Sequence, residues 1–193
     1  MEVKDVEHPS LIEYLQSRKL DSLKSELQEI HYELNGRKYF ALGFRNDSGG
    51  YEIRNSFVKL CLGRKDITTI NNQSKTLRMF EGFSDYLSFK VLEKTMEYEP
   101  SDYLILNSVS MLFRVKKQLE SYKEIELFLD NDRTGDSATE ILKKQNPNVS
   151  DERILYQNFK DLNEFLMTSN LRKKDTGTKN DNLSKRNSPK IGR

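Results

Sequence analysis

Apolar and polar positions change their period twice along the chain. After a polar stretch over residues 1–9 that reads as loose, Leu11, Ile12, Tyr14, Leu15 and Leu20 recur at helical spacing. Ser10 is placed to cap that helix, and Asp21 a second short one. From Leu27 the period falls to two, through Gln28-Glu29-Ile30-His31-Tyr32-Glu33-Leu34 and again through residues 37–44, with Asn35-Gly36 between. Asn-Gly between alternating runs predicts a hairpin, because both residues tolerate a positive φ. A second turn cluster, Asn46-Asp47-Ser48-Gly49-Gly50, leads into Tyr51-Glu52-Ile53-Arg54. Short strands continue to about Ile70, and residues 71–74 read as a linker.

Beyond the linker, strand and helix patterns alternate. Residues 76–80, 103–106, 125–129 and 153–156 read as strands, and 83–97, 111–122, about 136–144 and 162–167 as helices. The second of these helices is basic on its outer face through Arg114, Lys116 and Lys117, and the third stops before Pro147. The run Ile125, Leu127, Phe128, Leu129 lacks polar alternation, which suits a strand covered on both faces. Alternation at this spacing predicts an α/β fold with right-handed crossovers and a four-stranded, mostly parallel sheet, preceded by a small α+β subdomain. The expected units are residues 1–75, residues 76–169, and a polar tail from 170 to 193 in which apolar residues nearly vanish and disorder is expected.

Charge changes the picture chiefly in that tail. The 193 residues carry 32 Lys and Arg against 30 Asp and Glu, net +2, so bulk charge does not by itself identify a nucleic-acid partner. Residues 170–193 hold eight basic and two acidic residues, leaving the body mildly acidic. The tail reads equally as a solvated segment or as an arm that binds phosphates. Cys61 is the only cysteine, which rules out an internal disulfide and a cysteine-based zinc finger and fits a reducing compartment. No apolar run approaches the ~20 residues of a membrane span, and a cytoplasmic protein is expected.

The candidate chemistry lies at strand ends. Glu81-Gly82 follows the first strand of the alternating region, and Asp85 comes one helical turn later. Asp130 and Asp132 follow the third strand, ahead of Gly135. Ligands bind beyond the carboxyl ends of strands in open α/β sheets, so these acids share one edge. Asp130 and Asp132, two apart in extended chain, can reach one cation, and oxygen-only ligation suits Mg²⁺ or Mn²⁺. Each acid alone has a plainer role: Asp132 or Asp136 as a helix cap, Glu81 as a solvated loop residue, Asp85 on an exposed helix face. No P-loop or dinucleotide fingerprint occurs, and His8 and His31 do not assemble a hydrolytic triad. Tyr39, Phe40, Phe44 and Tyr51 interleave with basic residues and can either stack bases or fill a core.

Three segments carry a resemblance: Phe80-Glu81-Gly82-Phe83-Ser84-Asp85, Asn107-Ser108-Val109-Ser110, and Leu129-Asp130-Asn131-Asp132-Arg133-Thr134-Gly135. In order and spacing they resemble the Toprim (Rossmann-like) domain of bacterial replicative primases. Asn158-Phe159-Lys160-Asp161-Leu162-Asn163 is similar to those enzymes' late acidic motif, with Asn163 where a second aspartate is usual. Phe44-Arg45-Asn46 and Gly49 to Arg54 resemble the small basic subdomain that precedes Toprim, particularly in primase-like proteins of mobile elements. The resemblance implies catalytic roles for Glu81, Asp130 and Asp132, with Glu81 a metal ligand or general base. It implies a metal set of Glu81, Asp85, Asp130, Asp132 and Asp161, and nucleotide or template contacts from Arg45, Arg54, Lys59, Arg64 and Lys65. It implies Mg²⁺ or Mn²⁺ as cofactor, and single-stranded DNA and nucleoside triphosphates as partners, with a replicative helicase or a separate zinc-binding module as further partners. Family primases begin with such a module, which one cysteine and two histidines do not build. Three functions follow as expectations: DNA primase in replication of a mobile element or plasmid, a Toprim nuclease, or a DNA-binding accessory protein without catalysis.

Overall fold

The computed structural model describes residues 1–96 and 98–169, so the expectations for the basic tail and for Glu97 lie outside the described residues. Two five-stranded sheets organise the described residues. The first is an antiparallel meander of β1 (Glu2–Asp5), β2 (Gln28–Leu34), β3 (Arg37–Arg45), β4 (Tyr51–Arg54) and β5 (Lys59–Leu62). Helix α1 (Pro9–Ser17) and a 3-10 turn (Asp21–Glu26) lie between β1 and β2. The expected hairpin forms, with Asn35 at φ 52° and Gly36 at φ 73°, the twist that lets a two-residue turn join β2 to β3.

Residues 1–9 are not loose. Glu2 to Asp5 pair with β2 as an edge strand, and the buried Glu29 carboxylate accepts the backbone N–H groups of Glu7 and His8 at 3.1 and 2.8 Å. The cap of α1 is His8 rather than Ser10: His8 Nδ1 accepts the Ser10 N–H, and Pro9 occupies the first helical turn, where its missing donor costs nothing.

The second sheet has the order β10-β9-β7-β8-β6. Here β6 is Thr68–Ile70, β7 Thr76–Phe80, β8 Asp102–Ile105, β9 Glu124–Phe128 and β10 Val149–Asp151. β7 to β10 are parallel, as expected, and β6 is added antiparallel to β8 at one edge. That fifth strand precedes the linker at residues 71–74, so the second sheet begins upstream of it. Helices α2 (Phe83–Met96) and α5 (Leu162–Thr168) cover one face; α3 (Lys116–Leu119) and α4 (Arg133–Gln145) cover the other. No helix among the described residues is long and apolar enough to cross a membrane.

Two expected elements take other forms. Residues 153–156 are a 3-10 turn (Glu152–Tyr156), and the strand lies just before it. Arg153 folds back onto Asp151 and Asp136, and the buried Tyr156 hydroxyl donates to the Leu129 carbonyl at 2.8 Å, which turns the chain away from the sheet. The expected helix over 111–122 breaks into a 3-10 turn (Val109–Arg114) and the short α3, joined at the fully buried Val115.

Side chains alternate across the parallel sheet, with Leu77, Met79, Ile125 and Leu127 in one core and Phe80 and Phe128 in the other. The latter core runs on into the first sheet through Leu42 and Phe44. Phe44 stacks on Phe83 of α2 with ring centroids 5.4 Å apart. This seam holds β4 and β5 against the carboxyl edge of the parallel sheet.

Candidate functional site

β7 and β9 are hydrogen-bonded neighbours in a register that sets Phe80 beside Phe128. Glu81 lies one residue beyond that rung and Asp130 two beyond, so two carboxylates from segments some fifty residues apart meet at one strand edge. Burial first, then the charges of Asp130 and Asp132, push the Glu81 carboxyl up to about 7, with Lys59 acting in the opposite sense. Asp130 is also raised, by burial and then by Asp161, again opposed by Lys59. Asp85 is buried and raised by its burial and by Asp161 and Asp130, with Arg54 opposing.

The loop that carries Asp130 is tightly fixed. Asn131 donates its side-chain amide to the carbonyls of Tyr156 and Phe159, at 2.9 and 2.8 Å, and its N–H to that of Lys160. Asp132 caps α4, one carboxylate oxygen accepting from the N–H groups of Thr134 and Gly135 at 2.8 and 2.9 Å. Gly135 is required by close approach: a Cβ there would lie 2.1 Å from the Asp130 carbonyl oxygen.

The acids have different commitments. Glu81 Oε2 is buried with no hydrogen-bond partner. Asp85 accepts the Asn163 N–H at 3.2 Å, and Asp161 caps α5 by accepting the Glu164 N–H at 2.7 Å. Asn163, at the motif position where a second aspartate is usual, is fully buried; its amide donates to Ser88 Oγ at 2.8 Å and to the Arg18 carbonyl at 3.1 Å. That residue ties α5 to α2 and to the end of α1.

Of the five basic residues singled out in the sequence, two come to this edge. Arg54 donates to Ser84 Oγ at 3.2 Å and opposes the charge of Asp85, while Lys59, its partner across β4 and β5, opposes Glu81 and Asp130. Arg45, Arg64 and Lys65 gather instead around the Asn46–Gly50 turn and the corner holding Cys61 and Asp66. Three contributors were not singled out. Lys160 acts electrostatically on Asp130, and Glu52 and Asn107 line a narrow crevice with Arg54, Lys59 and Ser84. Glu52 Oε1 and Asn107 Oδ1 are both buried without partners. All three stand in segments that carry the family resemblance, without a role assigned to them there, and Asn107 takes a φ of 59°, which suits asparagine better than most residues.

Among the described residues, no three His, Cys, Asp or Glu side chains converge as a ready metal cage. The donor set nonetheless fits Mg²⁺, which takes one or two carboxylates and completes its shell with waters and substrate phosphates. The orphaned oxygen of Glu81 and the crowded Asp130 are such a pair.

A family model described as Toprim-like matches residues 78–166. This segment is a Toprim-like domain. Residues 1–63, upstream of it, match a model described as a domain of unknown function (DUF8464). The fold of the Toprim-like domain and the sheet before it is similar to the crystal structure of the primase fragment of the bacteriophage T7 primase-helicase protein. The TM-score is 0.51 at 19% identity, over 76% of this chain and 63% of that one. The chain therefore spans less than two thirds of that fragment. Primase domains of bacteriophage T7, in a complex with the phage's lagging-strand DNA polymerase and an RNA/DNA hybrid, match at TM-score 0.46 and 17% identity, over 80% of this chain and 83% of that one. No curated protein matches the sequence.

Proposed function

We propose that the protein is a primase-type nucleotidyltransferase core that joins nucleoside triphosphates on single-stranded DNA, serving a mobile element or plasmid. The observation that carries this reading is the meeting of Glu81 and Asp130 across β7 and β9, with the cations Lys59 and Arg54 facing them from the preceding sheet. Carboxylates crowded at a strand edge and opposed by lysine and arginine suit a polyanion that arrives with its own counter-ion. In the joining step the 3′-hydroxyl of one nucleotide attacks the α-phosphorus of the next, the P–O bond to pyrophosphate breaks, and the hydroxyl proton leaves to a base. Glu81 and Asp130, with Asp132, would hold Mg²⁺ or Mn²⁺, which when bound neutralises phosphate charge and acidifies the attacking hydroxyl. Lys59 and Arg54 orient the triphosphate and the template backbone as charge-assisted donors. Asp85 and Asp161 shape the field from behind the site. A replicative helicase or a separate zinc-binding module is the further partner that this reading allows.

The test is primer synthesis on single-stranded DNA with Mg²⁺ or Mn²⁺ and labelled nucleotides. Glu81→Gln and Asp130→Asn are each expected to lower product by at least about 100-fold, the scale of losing a group that acts in the transition state. Wild-type rates in either variant would overturn the assignment, and metal-dependent cleavage without incorporation would move the same residues to a nuclease.

A further inference from the structure

The turn between β4 and β5 presents an aromatic ring to water. Phe57 is 96% exposed, and the backbone beneath it is fixed by Asn55. The Asn55 side-chain oxygen accepts the N–H groups of Phe57 and Val58 at 2.8 and 3.0 Å. Its amide donates to the Phe40 carbonyl at 2.9 Å, and its own N–H to the Val58 carbonyl. An asparagine that closes a turn in this way gives a rigid tip rather than a floppy loop.

The ring is not an isolated surface residue. It borders a cleft of about 260 Å³ whose wall includes Lys38, Tyr39, Phe40 and Leu11. Tyr39 is 39% exposed and Phe40 half-buried, whereas Phe44 and Tyr51, the other aromatics that could have stacked on a ligand, are in the core. Lys59 lies two residues along the same turn, about 7 Å at most, and pairs across the strands with Arg54. Both act on the acids at the carboxyl edge. From Phe57 through Lys59 and Arg54 to Glu81 there is thus a short path that begins with an exposed ring and continues with cations.

We infer that Phe57 is a stacking platform for an unpaired base of a single strand whose phosphates cross Lys59 and Arg54 on the way to Glu81. The chemistry favours a single-stranded nucleic acid over an apolar peptide. A ring followed by cations suits a base followed by the phosphates of its own strand, and a base meets a π-face without a sequence requirement. A duplex, with its bases already stacked, has none to offer. Fixing the ring in advance removes an ordering cost from binding. This inference rests on reading the carboxylate edge as a site of nucleic-acid chemistry, and adds to it the point where the strand is gripped.

The chain contains no tryptophan, so Phe57→Trp supplies a single reporter at the turn. Binding of a fluorescein-labelled single-stranded oligonucleotide to the full chain is measured by anisotropy, without metal or nucleotide. Expected are a 5- to 150-fold loss of affinity in Phe57→Ala, roughly the cost of one lost stack, and quenching of the tryptophan in Phe57→Trp when unlabelled oligonucleotide is added. An oligonucleotide of abasic sites should bind wild type no better than the normal oligonucleotide binds Phe57→Ala. Phe57 touches little of the protein, so the alanine variant is expected to fold. Unchanged affinity in Phe57→Ala, or equal affinity for abasic and normal strands, overturns the platform. If Lys59→Ala still weakens binding in that case, the proposed function stands without it. If wild type binds no oligonucleotide, both fall together.

Discussion

Glu81 is held in an environment that favours its proton, and the sign of that effect can be followed through to stability. Its carboxyl titrates near 7 in the folded chain and near its ordinary value of about 4.5 when unfolded. Its stabilising contribution is therefore fully present below about 4.5 and is lost as pH rises through 7. Removing a neighbouring charge should relieve the loss. Asp130→Asn is expected to raise Tm at pH 8 in the absence of metal by roughly 2–4 °C, about 1 kcal/mol, and to change it little at pH 5; calorimetry at the two pH values checks this. A cation must displace the same proton, so Mg²⁺ affinity by titration calorimetry should weaken steadily as pH falls below 7. Gly135 bears on the site differently. Gly135→Ala drives a methyl into the Asp130 carbonyl and should cost about 1–3 kcal/mol in urea unfolding, by the scale of overpacking.

At the scale of elements, α5 is fastened by one asparagine. The Asn163 amide donates to Ser88 on α2 and to the carbonyl of Arg18, and its N–H to Asp85. The motif comparison makes Asn163→Asp look like a restoration of a missing acid. The structure predicts the opposite: a carboxylate cannot donate to either partner, and it adds charge beside Asp85. A loss of about 1–3 kcal/mol in urea unfolding at neutral pH is expected, the cost of a buried polar group left unpaired, with no gain in primer synthesis. The short 3-10 and α3 segments after β8 and the turn after β10 belong to the same scale. Residues 111–122 have helical spacing and 153–156 a strand-like composition. Those patterns are overridden by the packing of Val115 and by the Tyr156 hydroxyl bond to Leu129, neither of which local propensity can register.

The whole molecule depends on the seam where the antiparallel meander meets the parallel sheet. Phe44 and Leu42 from β3 enter the same core as Phe80, Phe83 and Tyr86. Phe44→Ala should cost about 3–5 kcal/mol by the scale of large core deletions and weaken the coupling between the two sheets. Calorimetry should then show a broadened or split transition in place of one. The same variant should weaken oligonucleotide binding without touching a cation, because Arg54 and Lys59 would no longer be held over the acids.

The amino-acid order alone determined the strand and helix alternation beyond residue 75, the Asn35-Gly36 hairpin, and the delivery of Glu81, Asp130 and Asp132 to the carboxyl ends of strands. These follow from local periodicity and turn chemistry, which act over a few residues. Tertiary structure decided the rest. Only the neighbour relation of β7 and β9 brings Glu81 against Asp130, and only the docking of the first sheet selects Arg54 and Lys59 from five basic candidates. Burial and hydrogen bonding turned Asn163 into a fastening and left Phe57, which no pattern marked, standing in water at the tip of a rigid turn. Strand order and the packing of one sheet on another depend on contacts between residues far apart in the chain, and a one-dimensional pattern carries no record of them.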